Sequence, residues 1–279
     1  MSNDNAINLT VRPVGPKEIK AALGLAKKYN ASPLTASYPL FKDEGQIRAE
    51  FEAAQKNGLL LGAFDGDRQN GALCLSDCGD FLQSLGLFSP AEVYGDFLEY
   101  LSTIYPGREA LFGFPKQNAG AAEFMGKRGE ILERATVTLL KREKFKRQDN
   151  HSIRIDKDNF GRFAEFYDKN EPEIYWNSER LKESLDNWVI FTAEDGRGVC
   201  GSVAAYIGGG SRAEIFALIC GDENVAAELL SAAAEAFFND KGGESVLFFV
   251  DDAQGRQLEA ALKSGFEITG GYASYKIKL

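Results

Sequence analysis

The chain contains very little of what metal sites and covalent catalysis commonly use. Its 279 residues include one histidine, His151, and four cysteines, none of them in a CxxC pair. Without a Cys/His cluster we do not expect a zinc site, and a Ser-His-Asp or Cys-His nucleophile would depend on His151 alone. We interpret the cysteines as small hydrophobic residues in or beside strands. Metal-dependent and nucleophilic hydrolase chemistry are therefore not expected.

Long apolar runs and an excess of positive charge are also missing from the sequence. No stretch approaches the roughly 20 apolar residues that a membrane-spanning helix needs. The net charge of -9 and the pI of about 4.9 argue against nucleic acid or an anionic membrane as the main partner. The opening residues MSNDNAINLT have neither the basic nor the apolar region of a signal peptide. We therefore expect a cytoplasmic protein.

What is present is one pattern of secondary structure, written twice. Each half predicts a strand, two helices, a β-hairpin, a strand, a long helix, a strand, a short helix and a closing strand. Gly66 and Gly71 bracket the first hairpin turn, and Gly196 and Gly201 bracket the second at the same spacing. The predicted fold class is therefore α/β, with two tandem domains that each contain a mixed sheet.

The repeat also predicts where the chain divides. A period of roughly 140 residues corresponds to one domain, so we expect domains at 1–145 and 150–279. The charged stretch KREKFKRQDN (141–150) would join them as a solvated linker. Among the helix starts, Ser89 and Glu92 have the spacing of a capping box, and Ser178 is the expected cap of a later helix.

The order of elements and the way each half ends resemble the GNAT (Gcn5-related) N-acetyltransferase superfamily. In the second half, ESVLFFV, AQGRQLEAALK and then Ser264-Gly265-Phe266 are similar to the family's strand, helix and terminal Gly-Phe. In the first half, LFGFP followed by Asn118 and Gly129 fits the same template, although Glu130 stands where Phe is usual. Gln254 precedes Gly265 at the distance at which Asn118 precedes Gly129. The resemblance covers nearly the whole chain, once per half.

The resemblance implies an acetyl-CoA site in the second domain and an amine acceptor, either a small molecule or a peptide. In the family, acetyl-CoA lies in a V-shaped opening between two splayed parallel strands, and its pyrophosphate rests on amides at the start of the long helix. The amine attacks the thioester directly in a ternary complex. Carried over to this sequence, the cofactor-binding residues are Leu218, Ile219, Cys220, Asn224, Val225, Ala226, Ala227 and Gln254.

The family also implies an acid, a base and an acceptor surface. Ala261 and Met125 stand where a tyrosine often protonates the departing thiolate, so we expect Tyr272 to replace it, with Tyr275 and Tyr206 as alternatives. Glu214, which opens the first splayed strand, is the expected base. Between the first two helices of the second domain, a cationic amine would be held by charge and cation–π contact with Glu171, Glu173, Tyr175 and Trp176.

The junction GDENVAA (221–227) leaves the function open. It keeps one of the three loop positions that the family uses for pyrophosphate. Asp222 and Glu223 carry the wrong charge for a phosphate, and Asp222 can instead cap the long helix. The first domain's junction contains Pro90, which has no amide proton, so we expect no CoA there.

Three interpretations follow. The first is an acyl-CoA-dependent N-acyltransferase. The second is a catalytically degenerate tandem GNAT protein that binds a ligand or partner. The third is a transferase that uses aminoacyl-tRNA, which the negative charge disfavours.

Overall fold

The computed structural model describes residues 9–37, 44–147, 151–172, 174–208 and 210–279. The elements of the first half follow the predicted order: β1 (Thr10–Pro13), α1 (Ile19–Tyr29), α2 (Glu44–Lys56), β2 (Leu60–Asp65), β3 (Arg68–Asp77), β4 (Phe81–Phe88), α3 (Tyr94–Ile104), β5 (Glu109–Pro115), α4 (Ala119–Gly126) and β6 (Glu130–Lys141).

The second half repeats this order: β7 (Ile153–Arg154), α5 (Phe160–Asn170), α6 (Ser178–Glu183), β8 (Trp188–Asp195), β9 (Gly198–Tyr206), β10 (Arg212–Cys220), α7 (Glu223–Asp240), β11 (Ser245–Asp251), α8 (Gly255–Lys263) and β12 (Glu267–Lys278). The predicted α/β fold and its internal repeat are thus confirmed. The closing segment of the chain forms one strand.

The chain folds into two compact units whose residue boundaries differ from those of the two sequence halves. The first unit comprises Met1–Arg134 with Gly271–Leu279, and the second comprises Ala135–Gly270. The domains expected at 1–145 and 150–279 therefore exchange their closing strands. The end of β12 pairs antiparallel with β5 in the first unit, and the end of β6 pairs antiparallel with β11 in the second. The charged stretch begins at Lys141, after the chain has already entered the second unit.

The exchanged strands belong to the cores of the units that receive them. Ala273, Tyr275 and Ile277 are buried in the core of the first unit, and Leu140 is buried in that of the second. The strand order is β1-β2-β3-β4-β5-β12 in the first unit and β6-β11-β10-β9-β8-β7 in the second. Each unit therefore has a six-stranded mixed sheet that is complete only with a strand from the other half.

The long helix α7 covers one face of the second sheet, as its apolar pattern predicts. Leu229, Ala233 and Phe237 repeat every fourth residue and are 0–1% exposed, because side chains at this spacing share one side of a helix. A second core lies against α5 and α6 on the other face, and it contains Trp188 and Ala217. The sheet thus separates an α7 side from an α5–α6 side.

Two expected helix caps were wrong. Pro90 is extended (φ -67°, ψ 154°) and a short 3-10 turn starts at Ala91, so Ser89 lies too early to cap, and no side-chain cap hydrogen bond forms there. The Ser89 Oγ is buried, with no hydrogen-bond partner among the described residues. Asn177, and not Ser178, caps α6 by accepting from the Arg180 amide at 3.1 Å.

Candidate functional site

The second unit contains a V-shaped opening between two parallel strands. β10 and β11 pair from Arg212–Ser245 to Ile215–Phe248 only, although β10 continues to Cys220 and β11 to Asp251. Immediately after the last pair, a β-bulge at Phe216 shifts the register of β10 against β9, and a bulge bends its strand. Leu218, Ile219 and Cys220, predicted to contact the cofactor, lie beyond the last pair.

The amides at the start of α7 are already hydrogen-bonded within the chain. The Asp222 side chain caps the helix, its Oδ1 accepting from the amides of Asn224 at 2.9 Å and of Val225 at 3.0 Å. The amide of Ala226 donates to the Asp222 carbonyl at 2.9 Å, and Ala227 is buried in the next part of the helix. The capping role considered for Asp222 is confirmed, and it uses amides that the family offers to pyrophosphate.

The second acid of the junction faces α8. Glu223 forms an ion pair with Lys263 at the end of that helix. Hydrogen bonding to Lys263 lowers the pKa of Glu223, so this carboxylate is charged at neutral pH. The two acids therefore place one negative charge on the helix N-terminus and balance the other against a lysine.

Side chains from α8 also reach the edge of β10. Gln257 Nε2 donates to the Leu218 carbonyl at 2.7 Å, and Arg256 donates to the Gly221 carbonyl at 3.4 Å. Gln254, which the resemblance assigned to the cofactor, is an exposed residue at the start of α8 and makes no side-chain cap hydrogen bond. Sequence reasoning missed Gln257 because its partner is a backbone atom distant in sequence.

The corresponding opening in the first unit is bridged by the chain itself. β4 and β5 pair in parallel only from Phe81–Glu109 to Gln83–Leu111. Beyond that point the Leu87 amide donates to Ser37 Oγ at 2.8 Å, and the side-chain amide of Asn118 donates to the Ala36 carbonyl at 2.9 Å. Ala36 and Ser37 are 0% and 1% exposed. These contacts, together with Pro90, support the prediction that the first domain binds no CoA.

These contacts decide how well acetyl-CoA fits. In the family that the sequence resembles, the pantetheine arm of acetyl-CoA pairs with the backbone of the first splayed strand. The pyrophosphate needs free amides at a helix N-terminus. In the second unit, Asp222 and Gln257 already bond to those backbone groups. In the first unit, Ser37 does so. The arrangement therefore does not fit a bound acetyl-CoA unless these side chains move.

The structure does not place the two predicted catalytic residues in one unit. Tyr272 lies on β12 in the first unit, opposite Pro115, where its ring and hydroxyl pack over Gly113 and leave no room there for a larger side chain. Glu214 lies in the second unit. Of the alternatives, Tyr275 is buried in the core of the first unit, and Tyr206 lies in the second. Ala261 and Met125 are fully buried.

Glu214 belongs to a row of side chains that crosses three strands. Tyr206 on β9 lies directly opposite both Glu214 on β10 and Trp188 on β8, and side chains paired in this way share one face of a sheet, about 5 Å apart. The Trp188 and Tyr206 rings are 5.4 Å apart. The row lies on the α5–α6 side, where it places a carboxylate beside aromatic rings.

Two further rings extend this row. The Phe216 ring at the bulge lies 5.5 Å from that of Trp188 and 6.4 Å from that of Trp176, and Phe216 is 41% exposed. The Trp176 ring is 5.3 Å from the Trp188 ring. We call Trp176, Trp188, Tyr206 and Phe216 the aromatic patch. Sequence reasoning found Trp176 but missed Trp188 and Phe216, because a bulge leaves no clear signal in sequence.

The role of the predicted acceptor loop as a ligand surface stays a prediction. Glu173 lies outside the described residues. Tyr175 is 40% exposed, but the Arg180 guanidinium stacks over its ring at 4.2 Å and donates to its carbonyl at 2.5 Å. One face of Tyr175 therefore already holds a cation. Asp168 fixes the end of the loop by accepting from the Ser178 amide at 3.0 Å and its hydroxyl at 2.5 Å.

Several solved structures to which this chain is similar are described as GNAT-type acetyltransferases. A GCN5-related N-acetyltransferase from Sphaerobacter thermophilus matches with a TM-score of 0.69 at 10% identity, covering 97% of this chain and 95% of that one. A tandem GNAT protein from the clavulanic acid biosynthesis pathway gives 0.62 at 12%, covering 97% and 98%. A GNAT-family acetyltransferase from Colwellia psychrerythraea gives 0.57 at 10%, covering 96% and 100%.

No protein-family model and no curated protein sequence matches this chain. At identities of 10–12% the structural likeness establishes the fold. The protein has the GNAT fold, present twice in one chain, as the sequence resemblance predicted. Among the described residues, no helix is long and apolar enough to cross a membrane.

Proposed function

We propose that the protein is a tandem GNAT-fold module that binds a small amine on the α5–α6 side of its second unit. The observation that carries this proposal is the row of Trp188, Tyr206 and Glu214 beside the V-shaped opening. A carboxylate among aromatic rings attracts an ammonium group both by charge and by cation–π contact. The negative net charge of the chain favours the approach of a cation.

Acyl transfer is not required for this function, and the contacts of the second unit argue against it. Asp222 covers two amides at the start of α7 and adds a charge that repels phosphate. Gln257 bonds to the carbonyl at which backbone pairing would continue. The position that often carries the family's acid is Ala261, which is buried. This combination supports the interpretation of a degenerate GNAT protein that retains an acceptor surface.

The second candidate is an acyl-CoA-dependent N-acyltransferase. It is favoured by the splay of β10 and β11 and by the nature of the groups that cover the second unit's backbone. Asp222 and Gln257 are exposed and half-buried side chains that can rotate away, whereas the Ser37 side chain that covers the Leu87 amide in the first unit is buried. The roles predicted for Glu214 and Tyr272, the acetyl-CoA co-substrate and the expected cytoplasmic location stay predictions under this candidate.

Calorimetric titration with n-butylamine tests the primary proposal. We expect saturable binding to the wild-type protein, and at least about tenfold weaker binding to Glu214→Gln, because this substitution removes the charge and keeps the shape. Glu165→Gln is the matched control, since Glu165 is an exposed carboxylate on α5 of the same unit. Unchanged binding to Glu214→Gln, or no binding to the wild type, would contradict the proposal.

A further inference from the structure

The two units use the same strand register, which allows them to be compared position by position. In the first unit Ser76 lies opposite Gln83, and the bulged residue of β4 is Leu85. In the second unit Tyr206 lies opposite Glu214, and the bulged residue of β10 is Phe216. The β2–β3 register begins at Leu60, opposite Cys74, so Trp188, which lies opposite Tyr206, has no strand counterpart in the first unit.

This comparison shows which residues the bulge and the strand pairing require and which residues occur only in the second unit. The bulge and the strand pairing form in the first unit with Ser76, Gln83 and Leu85, so the backbone geometry does not require aromatic or acidic residues there. At the same positions the second unit carries Tyr206, Glu214 and Phe216, and the Trp188 ring lies beside them. Three rings and a carboxylate on one face are therefore specific to the second unit.

From this contrast we infer that the amine bound by the second unit carries an aromatic group that packs against Phe216 and Trp176; the inference rests on the proposed function. Phe216 is 41% exposed, so its ring offers a face that the protein leaves uncovered. Aromatic rings prefer offset or edge-on contact with other rings at centroid distances of about 4.5–7 Å. The spacing within the patch shows that its rings already pack in this way.

The separation of charge and ring sets the size of the ligand. Glu214 and Phe216 are two positions apart on β10, so at most about 7 Å separates them along the strand, and the bulge at Phe216 shortens this distance. A two-carbon spacer between ring and amine spans this distance when the ammonium contacts the carboxylate and the ring lies over Phe216. The predicted ligand class is therefore the arylethylamines, and 2-phenylethylamine is the simplest probe.

The aromatic patch provides its own optical signal. The chain has two tryptophans, Trp176 and Trp188, and both belong to the patch. Tryptophan emission, excited at the red edge of the absorption band where 2-phenylethylamine does not absorb, therefore reports on this surface alone. Titrating the full-length wild type with 2-phenylethylamine and with n-butylamine compares an aromatic with an aliphatic amine without any substitution.

We expect 2-phenylethylamine to bind the wild type at least about tenfold more tightly than n-butylamine, the size of one good aromatic contact plus the added apolar area. Phe216→Leu, which installs the residue of the first unit, should remove most of this preference, because it weakens the binding of 2-phenylethylamine far more than that of n-butylamine. Glu214→Gln should weaken both amines by a similar factor.

Equal affinity for the two amines would overturn the aromatic preference and leave the amine site standing. A preference that survives Phe216→Leu would likewise overturn the role given to that ring. Binding of neither amine, by fluorescence or calorimetry, would overturn the proposed function itself. A melting curve for Phe216→Leu decides whether the rings serve only to fill space. In that case the variant loses stability while the ratio of the two affinities stays at the wild-type value.

Discussion

Two substitutions at Asp222 separate its charge from its helix-capping role. Alanine removes both the carboxylate that accepts from the amides of Asn224 and Val225 and its negative charge. Asparagine removes the charge but caps helices about as well as aspartate. Loss of the cap costs about 1 kcal/mol, or about 3 °C in melting temperature for a domain of this size. We expect this loss in Asp222→Ala and little change in Asp222→Asn.

The affinity for acetyl-CoA should rank the three proteins differently from their stability. A phosphate on these amides would lie about 6 Å from the carboxylate, where repulsion amounts to about 0.7 kcal/mol in water and about 3 kcal/mol at an effective dielectric of 20. Removing the charge should raise affinity by about 3-fold to 100-fold. Asp222→Ala also frees the two amides, which adds about fivefold. Affinity should therefore rise from wild type to Asp222→Asn to Asp222→Ala.

Calorimetric titration and thermal melts on the three proteins check both orders. Glu165→Gln controls for a general change in net charge. If all three proteins bind acetyl-CoA equally, or if Asp222→Ala binds it more weakly than the wild type, then Asp222 does not guard the helix N-terminus and the reasoning is wrong.

Three further predictions concern the fold. The Glu18 carboxylate accepts hydrogen bonds from the Arg12 guanidinium at 2.7 and 2.9 Å and from the Gly15 amide at 2.7 Å. These bonds lower the pKa of Glu18 to about 2 from a usual 4.5. The charged carboxylate therefore stabilises the fold above pH 4.5, and this stabilisation is lost as the pH falls toward 2. The melting temperatures of wild type and Glu18→Gln should therefore differ at pH 6 and converge near pH 2, and a constant difference would contradict this. Ser37→Ala should lower the free energy of unfolding, measured with denaturant, by about 1–3 kcal/mol, because the buried Leu87 amide loses its acceptor. Amine affinity should not change. A loss of stability below about 0.5 kcal/mol would show that another group accepts from the Leu87 amide. Residues 1–134 alone should fail to give a cooperative melt, because the core lacks the strand from 271–279. The same fragment with that strand joined by a flexible linker should melt cooperatively. Cooperative unfolding of the short fragment would refute the exchange.

The order of elements was predictable because local patterns determine it. Helix α7 could be predicted from the repeat of Leu229, Ala233 and Phe237, and the hairpins from their bracketing glycines. The Asp222 cap was predictable as well, because the carboxylate of an aspartate immediately before a helix readily accepts hydrogen bonds from the first free amides of that helix. These features depend on residues close together in sequence.

The features that were missed depend on contacts between distant residues. The closing strands β6 and β12 have similar apolar patterns, so the sequence does not indicate which sheet each one joins. The contacts of Ser37 with Leu87 and of Gln257 with Leu218 link a side chain to a backbone atom far along the chain. The bulge at Phe216 follows from strand register, and register is set by tertiary packing. The candidate site therefore emerges only when the strands are paired.

The central claim is that the second unit retains an amine site while the chain's own groups cover its CoA site. Calorimetric titration of the wild-type protein with 2-phenylethylamine and, separately, with acetyl-CoA tests both parts in one experiment. We predict saturable heat from the amine and none from acetyl-CoA up to about millimolar concentration, where the binding free energy is only about -4 kcal/mol. Micromolar binding of acetyl-CoA, or no heat from the amine, would contradict the account.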